Sequence, residues 1–153
     1  MSGRSEQHSI ECWVIRPSQG SWLVLLLHVP AVDRAGFGFW QPITGSVEPG
    51  ETSVQACLRE VQEETGLVVA LDALTFLEGG LIFELPESDI TIRKDLFVAR
   101  VDAGEMVVLS TEHDDFIWAP ATTVAYRLHW PSNLATWSIV FGHLTQKADS
   151  QDI

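Results

Sequence analysis

Four acidic residues and one arginine fall at spacings that matter in the stretch Gly45 to Leu67, GSVEPGETSVQACLREVQEETGL: Glu51, Arg59, Glu60, Glu63 and Glu64. Glu60, Glu63 and Glu64 stand at i, i+3 and i+4, which on an α-helix share one face. Val54, Cys57, Leu58, Val61 and Thr65 recur at helical spacing as the apolar stripe. The carboxylates are expected roughly opposite that stripe, so one side anchors the helix and the other presents acids. Like charges this close destabilise a helix modestly. A hard cation offsets that cost, and Mg²⁺ prefers carboxylate oxygens and retained waters. Spacing alone leaves two readings open, a divalent-metal site or a solvated acidic face with Arg59 paired to Glu63.

The helix that must hold these groups has clear ends. Thr52 and Gln55 fit a reciprocal capping box, and Gly66 can take the left-handed conformation that closes a helix. Upstream, residues 9–16 read as a strand ending at Pro17, then a turn at 18–21. The apolar run Trp22 to Val29 reads as a buried central strand. A loop follows at 30–39, with Arg34 as a candidate for phosphate and Phe39 as a candidate for a base. Residues 40–44 form a short strand into Gly45. Downstream, residues 67–77 are apolar and Gly79-Gly80 breaks the chain. Strands are expected at 81–85, 90–101, 106–109 and 116–119, with a turn at 86–89. Helices are expected from Pro120 to about Arg127 and from Ser132 or Asn133 to about Gln146.

This alternation predicts an α/β (α+β) domain, a mixed sheet between helices. At 153 residues the chain fits one core. The expected organisation is a loose terminus over 1–8, one domain over 9–146 and a frayed tail over 147–153. The net charge of −12 disfavours nucleic acid and anionic membranes as partners. It permits phosphate chemistry only with cations between the carboxylates and the substrate. Two cysteines without a CxxC, together with a polar start, point to the cytoplasm.

The pattern G-x5-E-x7-R-E-U-x-E-E-x-G-U, with U a bulky aliphatic, is that of the Nudix box. Gly45, Glu51, Arg59-Glu60, Val61, Glu63-Glu64, Gly66 and Leu67 fill every constrained position. The chain therefore resembles the Nudix hydrolases. The resemblance implies a mixed sheet sandwiched between helices and hydrolysis of a phosphoanhydride with Mg²⁺ or Mn²⁺. It implies Glu60 and Glu64 as principal metal ligands, Glu63 as a direct or water-mediated one, and the Gly45 carbonyl completing the site. Arg59 would orient the carboxylates, and Glu51 would brace the loop.

Two further segments resemble particular groups within the family. Trp40 to Glu51, WQPITGSVEPGE, is similar to the dihydroneopterin triphosphate pyrophosphatases. Glu112-His113 ahead of a Trp-bearing strand is similar to that group and to the diadenosine tetraphosphate hydrolases. Glu112 becomes a candidate extra metal ligand or general base, with His113 as a structural hydrogen-bonder. Trp40 is a candidate to contact the base. Arg93 and Lys94 point to opposite faces of a strand, so at most one meets the substrate. Arg93 is the candidate for a terminal phosphate, and the other is solvated. The expected substrate is a nucleoside or pterin triphosphate, with release of pyrophosphate. The alternatives are a dinucleoside polyphosphate or a non-catalytic nucleotide sensor.

Overall fold

The computed structural model describes residues 4–31, 36–85 and 88–151, with side chains to 146. Its frame is strand β1 (Ser5–Ser18), the long central strand to which three of the other six attach. β1 turns through Gln19 and Gly20, both at positive φ, into β2 (Ser21–Val29). Positive φ at both central residues suits a two-residue hairpin turn, because its twist matches that of the strands. Short strands β3 (Phe39–Gln41) and β4 (Ile43–Ser46) follow, then helix α1 (Ser53–Thr65). After a 3₁₀ turn at Leu71–Ala73 come β5 (Leu74–Leu85), β6 (Ile90–Arg100) and β7 (Asp115–Pro120). A 3₁₀ turn at Ala121–Thr123 leads to α2 (Val124–Arg127) and then α3 (Pro131–Gln151).

Among the described residues the sheet runs β3-β2-β1-β6-β5, with β4 also on β1 and β7 also on β2. β1 and β6 are parallel, and the other pairs are antiparallel. β1 divides its second edge: Ile15 to Ser18 face β2, whereas Ser9 to Cys12 face β4. This split delivers Gly45, opposite Ile10, to the middle of the molecule.

Helices cover both faces. Ile10, Cys12, Val14, Leu25 and Leu27 pack with Ala56, Cys57 and Val61 of α1. Trp13, Ile15, Val24 and Leu26 pack with Trp137, Val140 and Leu144 of α3. Burial on both faces explains why β2 reads as an unbroken apolar run rather than an alternating one.

Several sequence expectations are corrected. β1 starts at Ser5, inside the stretch read as a loose terminus, because Ser5 to His8 pair with Ile90 to Arg93 of β6. It also runs through Pro17 to Ser18. Gly79-Gly80 does not end a strand: β5 continues through it, absorbing the glycines as register shifts between Phe76 and Leu81. Residues 106–109 are not a strand. They dock on the end of α1 instead, with the Val108 N–H donating to the Thr65 carbonyl at 2.8 Å. Helix α3 extends to Gln151, into the segment read as a frayed tail.

Candidate metal and phosphate site

Local rules place the carboxylates. The Thr52 side chain accepts from the Gln55 N–H at 3.1 Å, and the Gln55 side chain accepts from the Thr52 N–H at 2.9 Å. This satisfies two of the four N–H groups that a helix start leaves unpaired. Gly66 ends the helix at φ 74°. Between these caps, side chains four residues apart stack along the helix.

Arg59 is the hub. Its Nε and Nη2 donate to the two oxygens of Glu51 at 2.8 and 2.9 Å. Nη1 donates to Glu60 at 2.8 Å and Glu63 at 3.3 Å, and Nη2 also reaches the Ser46 carbonyl at 3.0 Å. Glu51 in turn accepts the Glu48 N–H at 3.0 Å. The guanidinium fork and this backbone N–H hold the Glu51 carboxyl down at about 2. One arginine thus fastens the loop before α1 to the acids on it. Gly45 completes the contact. A Cβ there would fall 2.2 Å from Glu60 Cδ, so only glycine lets the carboxyl lie against β4.

The acids do not all lie opposite the apolar stripe. At ~100° per residue, Glu64 is about 60° around the helix from Val61. It therefore lies on the edge of the buried face and is 4 % exposed. Glu63 is the acid that faces solvent. Burial first, then the charges of Glu60, Glu112 and Glu63, push the Glu64 carboxyl up to about 9. Burial also raises Glu60, against the pull of Arg59.

The fourth acid comes from the other side. The Ser110 N–H donates to the Glu64 carbonyl at 3.4 Å, bringing the next residues over the helix. Glu64, Glu112 and His113 each present a ligand-type atom, all within 4.8 Å of one another. Glu64 Oε2 is buried with no hydrogen-bond partner among the described residues. A buried carboxylate oxygen without a donor, beside further acids, is costly unless a cation or proton sits there. The donor set is mostly carboxylate oxygen, which fits a hard divalent ion.

The remaining candidates are scattered. Arg34 lies outside the described residues. Phe39 is buried with its ring edge-on to Trp130 at 5.3 Å, so it supports the wall rather than facing a base. Trp40 is half-buried against His28, 4.8 Å between rings. Arg93 is exposed and reaches Glu6 at 3.4 Å, on the α1 face. Lys94 is not solvated: it is buried on the α3 face, 2.8 Å from Glu11.

Sequence reasoning also missed four polar contacts. Asp114 meets His28 at 2.6 Å, and His113 meets Gln41 at 3.1 Å, pinning both residues that follow Glu112. On the opposite flank His8 meets Asp95 at 2.8 Å, and Ser53 donates to the same carboxylate, tying the start of α1 to the sheet. Each joins elements far apart in the chain, so no local spacing announces it. The buried position of Lys94 had a usable signal, since alternation along β6 puts it on the same face as Leu96 and Val98.

The NUDIX domain family model matches residues 7–138. The chain is 52% identical over 96 residues to the dihydroneopterin triphosphate diphosphatase of Escherichia coli strain K12, covering 57% of this chain and 64% of that protein. It is 37% identical over 91 residues to an octanoyltransferase of Myxococcus xanthus, covering 60% of this chain and 25% of that protein. The match thus spans less than two thirds of either relative. In three dimensions it superposes on the C. elegans Ap4A hydrolase binary complex with a TM-score of 0.74 at 22% identity, covering 92% of this chain and 98% of that one. At that identity the likeness is one of fold.

Proposed function

The chain belongs to the Nudix hydrolase family, and from that premise we propose that it hydrolyses a nucleoside or pterin triphosphate between the α and β phosphates, releasing pyrophosphate. The observation that carries this reading is Glu64: a buried carboxylate with an unpartnered oxygen, facing Glu112 across a gap of ion size. Glu60, Glu64 and Glu112 would hold a divalent ion, Mg²⁺ or Mn²⁺, with Glu63 and the Gly45 carbonyl beside them. When bound, such an ion offsets phosphate charge and eases deprotonation of water.

The chain's own groups do the rest. Arg59 spends its donors on Glu51, Glu60, Glu63 and Ser46, so it positions acids rather than substrate. Glu112 is exposed, on a loop opposite α1, and is the acid best placed to take a proton from an attacking water. Glu60, whose carboxyl is already bound to Arg59, is the weaker base. Trp40 offers an aromatic surface next to the box. We assign the activity to a single domain over residues 9–146, with the start of β1 from Ser5 as part of its sheet.

The similarity to the dihydroneopterin triphosphate diphosphatase and the WQPITGS segment support the triphosphate. Glu112-His113 ahead of the Trp118-bearing strand β7 supports a second reading, a dinucleoside polyphosphate. A hydrolysis screen with Mg²⁺ and product identification separates them. Pyrophosphate plus a monophosphate is the expected outcome. Two nucleotide products would favour the second reading, and no release from any substrate in the panel would overturn both.

A further inference from the structure

Under the second half of α3, at the end of the sheet away from the acids, lies a cavity of about 260 Å³. Its floor is Ile15, Val98 and Leu144, exposed by only 4, 3 and 2 %. Trp22 and His143 wall it and are half-buried, while Asp72, Thr75 and Arg100 stand exposed at its rim, so it opens to solvent. The floor belongs to the core on the α3 face, whereas Glu60 and Glu64 ride on α1 across the sheet. Arg100 pairs with Ile15, further along β1 than Ile10, the partner of Gly45. The two levels are about 17 Å apart at the rise of a strand. Leu144 is likewise about 20 Å along the helix from the start of α3 at Pro131. The cavity is therefore separate from the metal and phosphate site.

Two opposite charges face it unpaired. The chain carries 21 acids against 9 lysines and arginines, so a basic side chain seldom lacks an acidic partner. Arg4, Arg59, Arg93 and Lys94 each pair with one. Arg100 pairs with none among the described residues, and its guanidinium carbon lies 5.5 Å from the centre of the Trp22 ring. Stacking holds the guanidinium plane and leaves its in-plane N–H groups free for a carboxylate. Asp72 sits in the 3₁₀ turn, which the Ala73 N–H closes on the Ala70 carbonyl at 2.9 Å. Its carboxylate has no side-chain partner among the described residues. A cation and an anion that line one open cavity without closing on each other leave room between them for a molecule that carries both charges.

We propose that this cavity binds a free α-amino acid with an apolar side chain. The ligand carboxylate takes the N–H groups of Arg100, its ammonium meets Asp72, and its side chain covers Ile15, Val98 and Leu144 beside the Trp22 ring. The volume lies below the roughly 300–1,000 Å³ of sites for drug-sized ligands, which suits a molecule this small. The proposal is independent of the hydrolytic reading, because none of these residues belongs to the acid cluster.

The test is a titration of L-leucine into the whole chain without metal or phosphate, followed by NMR. Saturable shifts are expected at the Trp22 indole N–H and the Val98 and Leu144 methyls. Three analogues separate the contacts: 4-methylpentanoate lacks the ammonium, isopentylamine lacks the carboxylate and glycine lacks the side chain. Each should bind about tenfold or more weakly than leucine, the scale of one charged hydrogen-bonding partner or one buried aliphatic side chain. Arg100→Gln and Asp72→Asn change exposed side chains and should leave the fold intact. Each should weaken leucine by about tenfold, and Asp72→Asn should leave 4-methylpentanoate unchanged. Absence of saturable shifts at Trp22 and Leu144 would overturn the proposal. So would 4-methylpentanoate or isopentylamine binding as tightly as leucine, or leucine affinity retained in either variant.

Discussion

Glu64 joins the burial of α1 to the chemistry of its neighbours, and its protonation gives a measurable sign. Its carboxyl titrates at about 9 in the fold, against the ordinary value of 4.5. Between those values the metal-free folded protein holds a proton that the unfolded chain has released. This contribution to stability is complete below about 4.5 and is lost as the pH rises through about 9. Urea melts of the chelator-treated protein should therefore weaken across that window, and Glu64→Gln should flatten the decline. A divalent ion should do the same by replacing the proton, and its binding should release protons into weakly buffered solution. Glu64→Gln should also lower turnover by about a hundredfold or more, the scale of losing one transition-state contact, with the fold intact by circular dichroism. Undiminished turnover would remove Glu64 from the site. Arg59→Lys separates charge from shape. Lysine keeps the charge but cannot fork onto Glu51 while also reaching Glu60 and the Ser46 carbonyl. Turnover should fall about tenfold or more, at about the loss of a single well-placed donor, and a rate within about twofold of wild type would show that charge alone suffices.

At the scale of elements, the strand-loop-helix unit positions the acids, and Gly45 sets its closest approach. Gly45→Ala would put a methyl where the Glu60 carboxyl lies. Its backbone is outside the left-handed region, so alanine strains the contact rather than the chain. Binding of Mn²⁺, followed by electron paramagnetic resonance, should weaken while the melting temperature moves little. A large loss of stability with cation binding unchanged would place Glu60 outside the metal site. Most of this unit was legible in the sequence because its signals are local: a capping box, a C-terminal glycine, acids four residues apart. What was not legible depends on distant partners. Ser5 to His8 form a strand only because β6 offers them a parallel edge. Gly79-Gly80 is tolerated within β5 because Asp95 of β6 accepts the Gly80 N–H at 3.0 Å. Lys94 is drawn inside by Glu11, 83 residues earlier in the chain. The same limit explains Glu64, whose burial follows from the segment at 108–110 folding over the end of α1.

For the whole molecule, the net charge of −12 becomes a statement about affinity. Acids far from the site still contribute to its potential, since the Debye length is about 30 Å at 0.01 M ionic strength and about 8 Å at 0.15 M. At low salt the protein should gather divalent cations and repel a metal-free nucleotide, so a nucleotide should approach more readily as its metal complex. Raising monovalent salt should then act in opposite directions on two measurable quantities. The apparent affinity for Mn²⁺ alone should fall, because screening weakens a long-range attraction. The association rate of a nucleotide without metal should rise, because screening weakens a repulsion. Glu63→Gln, on the exposed side of α1, should soften both trends while the buried acids stay in place. Stopped-flow binding and Mn²⁺ titration from about 0.01 to 0.3 M salt would check this. If both quantities moved in the same direction, the site would be responding to its immediate neighbours rather than to the charge of the whole protein.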